Sequence, residues 1–149
     1  MPTWTGFFDK SGSPAVKIFL YGVSHQLKKE LDVVIDTGFT GFLSMPLIQA
    51  FPFGLVLLGT TNVVLADGST VTKLTALGHV QVGTEDKVGV ILLGPNDTGV
   101  LLGMDLLREF GKKLVVSAVN HTVELQDDQP AAPAVAPTPP PVPAPAAGP

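Results

Sequence analysis

Val33-Val34-Ile35-Asp36-Thr37-Gly38-Phe39-Thr40-Gly41-Phe42-Leu43-Ser44-Met45-Pro46 is the stretch on which the reading of this chain turns. Leu31 to Ile35 is a β-branched, mostly apolar run that stops abruptly at an acid, and it is expected to be a strand buried on both faces. A strand of that kind delivers Asp36 rigidly to a turn. There Gly38 leaves the backbone uncrowded for water and a ligand, and Thr37 offers a hydroxyl to brace its surroundings. Beyond Phe42 to Met45, the segment Pro46 to Phe51 reads as a single helical turn with proline at its first position.

The chain carries its own control. Asp97-Thr98-Gly99 repeats the tripeptide, but it follows Gly94-Pro95-Asn96, a turn signal, and no strand leads into it. The second copy is therefore expected in a loop. A faint echo also links Thr40-Gly41-Phe42-Leu43 to Thr98-Gly99-Val100-Leu101, which suggests two similar halves.

Working outward, Asp9 to Pro14 is a turn cluster between Thr3 to Phe8 and Ala15 to Tyr21, an opening hairpin. A turn at Gly22 to His25 precedes the strand at 31 to 35. Thr61 to Ala66 and Thr70 to Leu77 flank Asp67-Gly68, the strongest hairpin signal present, and predict a protruding β-arm. His79 to Val82 and Val88 to Leu93 are further strands around Gly83 to Asp86. Val100 to Gly103 runs into a short helix, Met104 to Phe110, whose apolar residues Met104, Leu107 and Phe110 share a face and which Gly111 ends. Leu114 to Val119 and Thr122 to Leu125 form a closing hairpin around Asn120-His121.

Composition sets the limits of this reading. The 149 residues suit one domain, placed at 1–129. Pro130 to Pro149 holds 9 prolines and 7 alanines, too little apolar bulk to offset its ordering entropy, and is expected to be a disordered tail. The rest is rich in Val, Leu, Ile and Gly and often broken by turn residues, the pattern of an all-β domain of short strands. With no cysteine, thiol catalysis, zinc-thiolate sites and iron-sulfur clusters are excluded. Net charge is −4, and the basic pairs Lys28-Lys29 and Lys112-Lys113, expected on solvated faces, are no footprint for nucleic acid. No apolar run approaches the ~20 residues that span a bilayer, and no secretory signal opens the sequence, so a cytoplasmic location without membrane contact is the expectation. His25, His79 and His121 are scattered without pairing, and no metal or other cofactor is expected. Asp105 falls in the first helical turn, where a carboxylate suits the helix dipole, and Trp4 is expected to pack.

Peptide hydrolysis by carboxylates needs two of them in hydrogen-bonding reach, one ionised to activate water and one protonated to polarise the carbonyl. Two carboxylates ~3 Å apart cannot both ionise. Asp36 supplies one. The stretch 33–46 closely resembles the active-site segment of bacterial retropepsin-like peptidases of the aspartic clan. Leu65-Ala66-Asp67-Gly68-Ser69 looks like that family's flap hairpin, and Leu101-Leu102-Gly103-Met104-Asp105-Leu106-Leu107 is similar to its late pattern of two apolar residues, a glycine and a short helix. Order and spacing agree over residues 3 to 125.

The resemblance implies an all-β, closed acid-protease-like barrel with one short C-terminal helix, assembled as a homodimer that cleaves peptide or protein substrates. It implies Asp36 as the catalytic carboxylate within Asp36-Thr37-Gly38, with Thr37 linking two active-site loops across the dyad. Substrate would lie under Ala66, Asp67, Gly68 and Ser69 and beside Phe39. Many aspartic peptidases carry a small or hydroxylated residue where Phe39 stands. A serine hydroxyl there could favour the charged carboxylate and phenylalanine cannot, so activity is expected nearer neutral pH than in acid-adapted relatives. The rival function on the same fold is a non-catalytic dimeric peptide-binding module, with the Pro-rich tail as a docking segment.

Overall fold

Fourteen short elements follow one another in the computed structural model, which describes residues 3–24 and 27–129. The strands β1 (Trp4–Thr5), β2 (Phe7–Phe8), β3 (Pro14–Tyr21), β4 (Lys28–Ile35) and β5 (Leu43–Pro46) lead to helix α1 (Leu47–Ala50) and a 3-10 turn (Phe51–Phe53). Then come β6 (Val56–Val64), β7 (Thr70–Val82), β8 (Glu85–Gly94), β9 (Leu101–Leu102), helix α2 (Met104–Phe110), β10 (Lys112–Ser117) and β11 (Thr122–Asp127).

Eight strands form the main sheet in the order β2-β3-β4-β9-β5-β8-β7-β6, and β7 also pairs with β3. That extra pairing closes the sheet on itself, so all but β2 and β6 belong to a ring. Alternate residues point inward, as the two-residue strand period requires. Val16, Ile18 and Leu20 of β3, Val33 and Ile35 of β4, Leu43 and Met45 of β5, and Ile91 and Leu93 of β8 are all buried in one core. α2 adds Leu106, Leu107 and Phe110. It ends on Gly111 in the left-handed region (φ 61°), as the sequence pattern predicts.

The second sheet, β1-β11-β10, ties the two ends of the described chain together. Trp4 is its anchor. Its ring meets Phe110 edge-on at 4.8 Å, its Nε1 donates to Glu85 Oε2 at 2.8 Å, and the Lys112 ammonium lies 5.0 Å from its centroid.

Several expectations need correction. β4 is not buried on both faces: Asp32 is exposed between half-buried Leu31 and buried Val33, because β3 and β9 pair with its edges while one face stays open. The opening hairpin splits, with Phe7 and Phe8 pairing back on β3 while Trp4 and Thr5 join β11. The segments at 70–77 and 79–82 are one continuous strand that bends around the ring. The helical turn expected over Pro46 to Phe51 does form, at Leu47–Ala50, but Pro46 is its N-cap and not its first helical residue. Lys113 is exposed, but Lys112 is not on a solvated face: its side chain is fully buried, 2.6 Å from Asp127 Oδ1 and 3.5 Å from Glu85 Oε2. The expected turn at His25 and the Pro-rich segment 130–149 lie outside the described residues.

The Lys112 hydrogen bond holds the Asp127 carboxyl below the usual carboxylate range. A depressed carboxylate adds stability at pH above its unfolded value, and that contribution is lost as pH falls through the folded value. Lys112→Met should therefore lower unfolding free energy at neutral pH, because it removes the ammonium that binds the Asp127 carboxylate. The variant should also lose less stability on acidification through the carboxylate range than the unmodified chain. Urea titrations on either side of that range measure both effects.

Candidate active site

Asp36 sits where β4 leaves the ring. β9 runs parallel to β4, with Val34 opposite Leu101 and Ile35 opposite Leu102. Val34 N donates to Val100 O at 3.0 Å and Asp36 N to Leu102 O at 2.9 Å, so the acid's own backbone is fixed by the neighbouring strand. The chain then turns at once, with Phe39 N donating to Asp36 O at 3.1 Å. Asp36 as a residue is half-buried, and Gly38 N donates to its Oδ1 at 2.9 Å. Among the described residues no other donor reaches it.

The loop that follows is clamped to the start of α2. Gly103 N donates to Phe42 O (3.1 Å), Met104 N to Phe39 O (2.8 Å) and Asp105 N to Gly41 O (3.1 Å). The first N–H groups of a helix have no partner within it, and here the carbonyls of the Asp36 loop supply them. So close an approach needs glycine, because a Cβ on Gly103 would lie 2.1 Å from Gly41 O and 2.7 Å from the Phe39 ring. Phe39 is half-buried, and its ring lies against Gly41 and Gly103. Thr37 and Gly38 are exposed.

The predicted β-arm is present and longer than its turn signal suggested. β6 and β7 pair from Val56↔Leu77 to Val64↔Thr70, with one irregularity between Leu57 and Gly59. Five residues, 65–69, connect them. Leu65 N donates to Ser69 O (2.8 Å) and Gly68 N to Leu65 O (2.9 Å), with Gly68 at φ 85°. Asp67 Oδ1 accepts from the Ser69 hydroxyl at 2.5 Å and from Ser69 N at 2.8 Å. The hydroxyl first, and the N–H after it, keep the Asp67 carboxyl below its ordinary range. Ala66, Asp67, Gly68 and Ser69 are all exposed, and no hydrogen bond among the described residues joins them to residues 36–39.

Asp97 lies in the loop between β8 and β9, as its turn context indicates. What the sequence did not reveal is its bracing role. Oδ2 accepts from Lys73 Nζ of β7 at 2.7 Å and from the buried Ser44 Oγ of β5 at 3.2 Å. The repeated tripeptide was the only signal there, and it says nothing about distant partners. Lys73, Asn96, Asp97, Thr98, Gly99 and Leu101 line a cavity of ≈ 340 Å³. Leu101 is the partner of Val34, two residues before Asp36. Asp105 is in the first turn of α2 and pairs with Arg108. The echo between 40–43 and 98–101 has a structural counterpart: each stretch enters a short strand followed by a helix, and those strands pair antiparallel, Leu43 with Leu102.

No protein-family model and no curated protein sequence matches the chain. Among solved structures it is similar to EIAV protease complexed with the inhibitor HBY-793, with 16% identity, a TM-score of 0.58 and coverage of 73% of this chain and 98% of that one. It is also similar to a retropepsin-like aspartic protease from Rickettsia conorii, with 18% identity, a TM-score of 0.57 and coverage of 83% and 90%. The ring of strands, the β6–β7 arm and the Asp36 loop clamped by α2 are thus parts of a retropepsin-like, all-β fold.

Proposed function

We propose that this chain is one subunit of a homodimeric aspartic endopeptidase whose catalytic dyad is Asp36 and the Asp36 of a second copy. The observation that carries the reading is the Asp36 carboxylate at the end of β4, held by Gly38 N within a retropepsin-like fold. Each chain brings one such strand-borne acid. Asp97, its sequence twin, is committed to Lys73 and Ser44 instead.

In this reading a water bridges the two Asp36 carboxyl groups, which share one proton because both cannot ionise at close range. The ionised member takes a proton from the water as its oxygen attacks the scissile carbonyl. The protonated member gives its proton to the carbonyl oxygen; as the tetrahedral adduct collapses, the proton taken from the water passes to the leaving nitrogen, a hydroxyl proton of the adduct returns to the dyad, and the amine departs. Thr37 joins the two loops across the dyad, and Gly38 orients the carboxylate. Residues 66–69 close over substrate, which lies extended and pairs its backbone like an added strand, with Phe39 narrowing the site. The chain would act on peptide or protein substrates in the cytoplasm. Among the described residues no helix is long and apolar enough to cross a membrane.

Asp36→Asn should cut cleavage of an unstructured protein at least about a hundredfold with unchanged circular dichroism, the scale of lost general acid–base catalysis. Asp97→Asn should retain most of the activity while lowering stability by about 1 kcal/mol, because it weakens a charge-assisted bond to Lys73. A pepstatin-type transition-state mimic should block the unmodified chain. Equal losses from the two substitutions would contradict the assignment, and a folded chain that binds peptides without cleaving them would mark a binding module.

A further inference from the structure

The sequence from Thr37 to Ala66 contains no Asp, Glu, Lys, Arg or His, and its later part forms α1, the 3-10 turn and β6, at the root of the β6–β7 arm. Large apolar side chains turn outward there: Ile48 is 78% exposed, Phe51 73% and Leu57 61%. Phe51 and Leu57, together with Leu47, Ala50, Leu74 and Leu93, line a cavity of ≈ 180 Å³ that no polar side chain lines. Single exposed apolar residues need no explanation, whereas an apolar patch gathered around a groove marks a binding surface.

The groove restricts what can fill it. β6 is the outermost strand at its end of the main sheet, but its register shifts between Leu57 and Gly59, which interrupts the row of backbone groups that an added strand would need. An occupant at this point is therefore held by side-chain packing. It is also uncharged, since no ion in the lining would offset the desolvation of a charge. The chain carries such a segment itself. Residues 130–149 have no charged side chain, and Pro137-Thr138-Pro139-Pro140-Pro141-Val142-Pro143 holds two P-x-x-P spacings that share Pro140. Sequences of this kind favour the polyproline II conformation, which docks in apolar, aromatic-bearing grooves without needing N–H groups and with little ordering entropy left to lose.

Reach permits the contact. Asp128 N donates to Gly111 O at 2.8 Å, which fixes where the segment departs. Extended at ~3.1 Å per residue, residues 130–143 span roughly 43 Å. A folded unit of this size has a radius of gyration of about 14 Å and is roughly 36 Å across, so the groove lies within range. We propose that the proline run 137–143 docks within its own chain into the apolar groove at the root of the arm, against Phe51 and Leu57. A tether of this kind acts as a local concentration on the order of millimolar, so a contact too weak to hold a free peptide is still filled about half the time. A bilayer suits the groove less well, because residues 37–66 offer no Lys or Arg to anionic headgroups. Leu57 belongs to β6 and Leu74 to β7, so the docked run braces both strands of the arm where they leave the ring.

The chain has no cysteine, so Ala144→Cys gives the full chain one attachment point for a nitroxide. With isotope-labelled, nitroxide-bearing chains mixed into an excess of unlabelled, nitroxide-free chains, only contacts within one molecule broaden the observed amide signals. Amides of residues 50–57 should lose about half their intensity relative to the reduced label, the scale of a tethered contact filled half the time. Leu57→Lys should restore that intensity with circular dichroism unchanged, whereas Val88→Lys, at an exposed valine of β8, should not. If Leu57→Lys fails to fold, Phe51→Lys takes its place. Absence of broadening at 50–57, or broadening that persists in the folded lysine variants, would overturn the proposal. Broadening that vanishes in the excess of unlabelled chain would give the groove to a second copy and overturn docking within one chain. Co-sedimentation of the full chain with phosphatidylcholine vesicles, abolished by Leu57→Lys, would assign the groove to a bilayer and overturn it equally.

Discussion

The contact between the Asp36 loop and the start of α2 is the constraint on which the rest of the site depends. Three N–H groups, from Gly103, Met104 and Asp105, reach the carbonyls of Phe42, Phe39 and Gly41, and one more bond runs back from Asp36 N to Leu102 O. Both partners gain, since a helix start acquires acceptors and an exposed loop acquires a rigid floor. The close approach depends on a missing Cβ at Gly103. The proposed sharing of a proton between two such carboxylates would require each to be held to within a fraction of an ångström, which a free loop would not do.

The same clamp explains why this segment was legible in the sequence. The apolar run into Asp36 and the Leu-Leu-Gly-Met-Asp pattern at 101–105 are local signals, each readable from its own residues. Their meeting could be expected only through the resemblance to a known family. α2 with its glycine stop, the arm at 65–69 and the turn at 94–97 were likewise encoded locally, in residues that set φ or supply a cap.

What escaped the sequence was long-range. Nothing near Lys112 distinguishes it from Lys113, yet one is enclosed between Trp4, Glu85 and Asp127 and the other faces solvent. Their alternation on β10 decides it, and the identity of the buried face depends on β1 crossing from the other end of the chain. Asp97 is the same case: its partners Ser44 and Lys73 lie on β5 and β7, which flank β8 in the main sheet though they are far apart in the sequence. The segment 31–35 misled for a local reason: Asp32 interrupts its apolar residues, and that acid stands on the exposed face of β4.

The proposed function is quantitative, because with one such acid per chain each dyad it calls for would draw its carboxylates from two chains. Unmodified chains mixed with Asp36→Asn chains, allowed to exchange subunits at concentrations well above the dimer dissociation constant, form active pairs only when both members are unmodified. Peptide cleavage should then follow the square of the unmodified fraction, so that an equal mixture retains about a quarter of the activity. A linear dependence, with about half the activity retained and exchange verified by mixed-mass dimers in native mass spectrometry, would contradict the shared dyad.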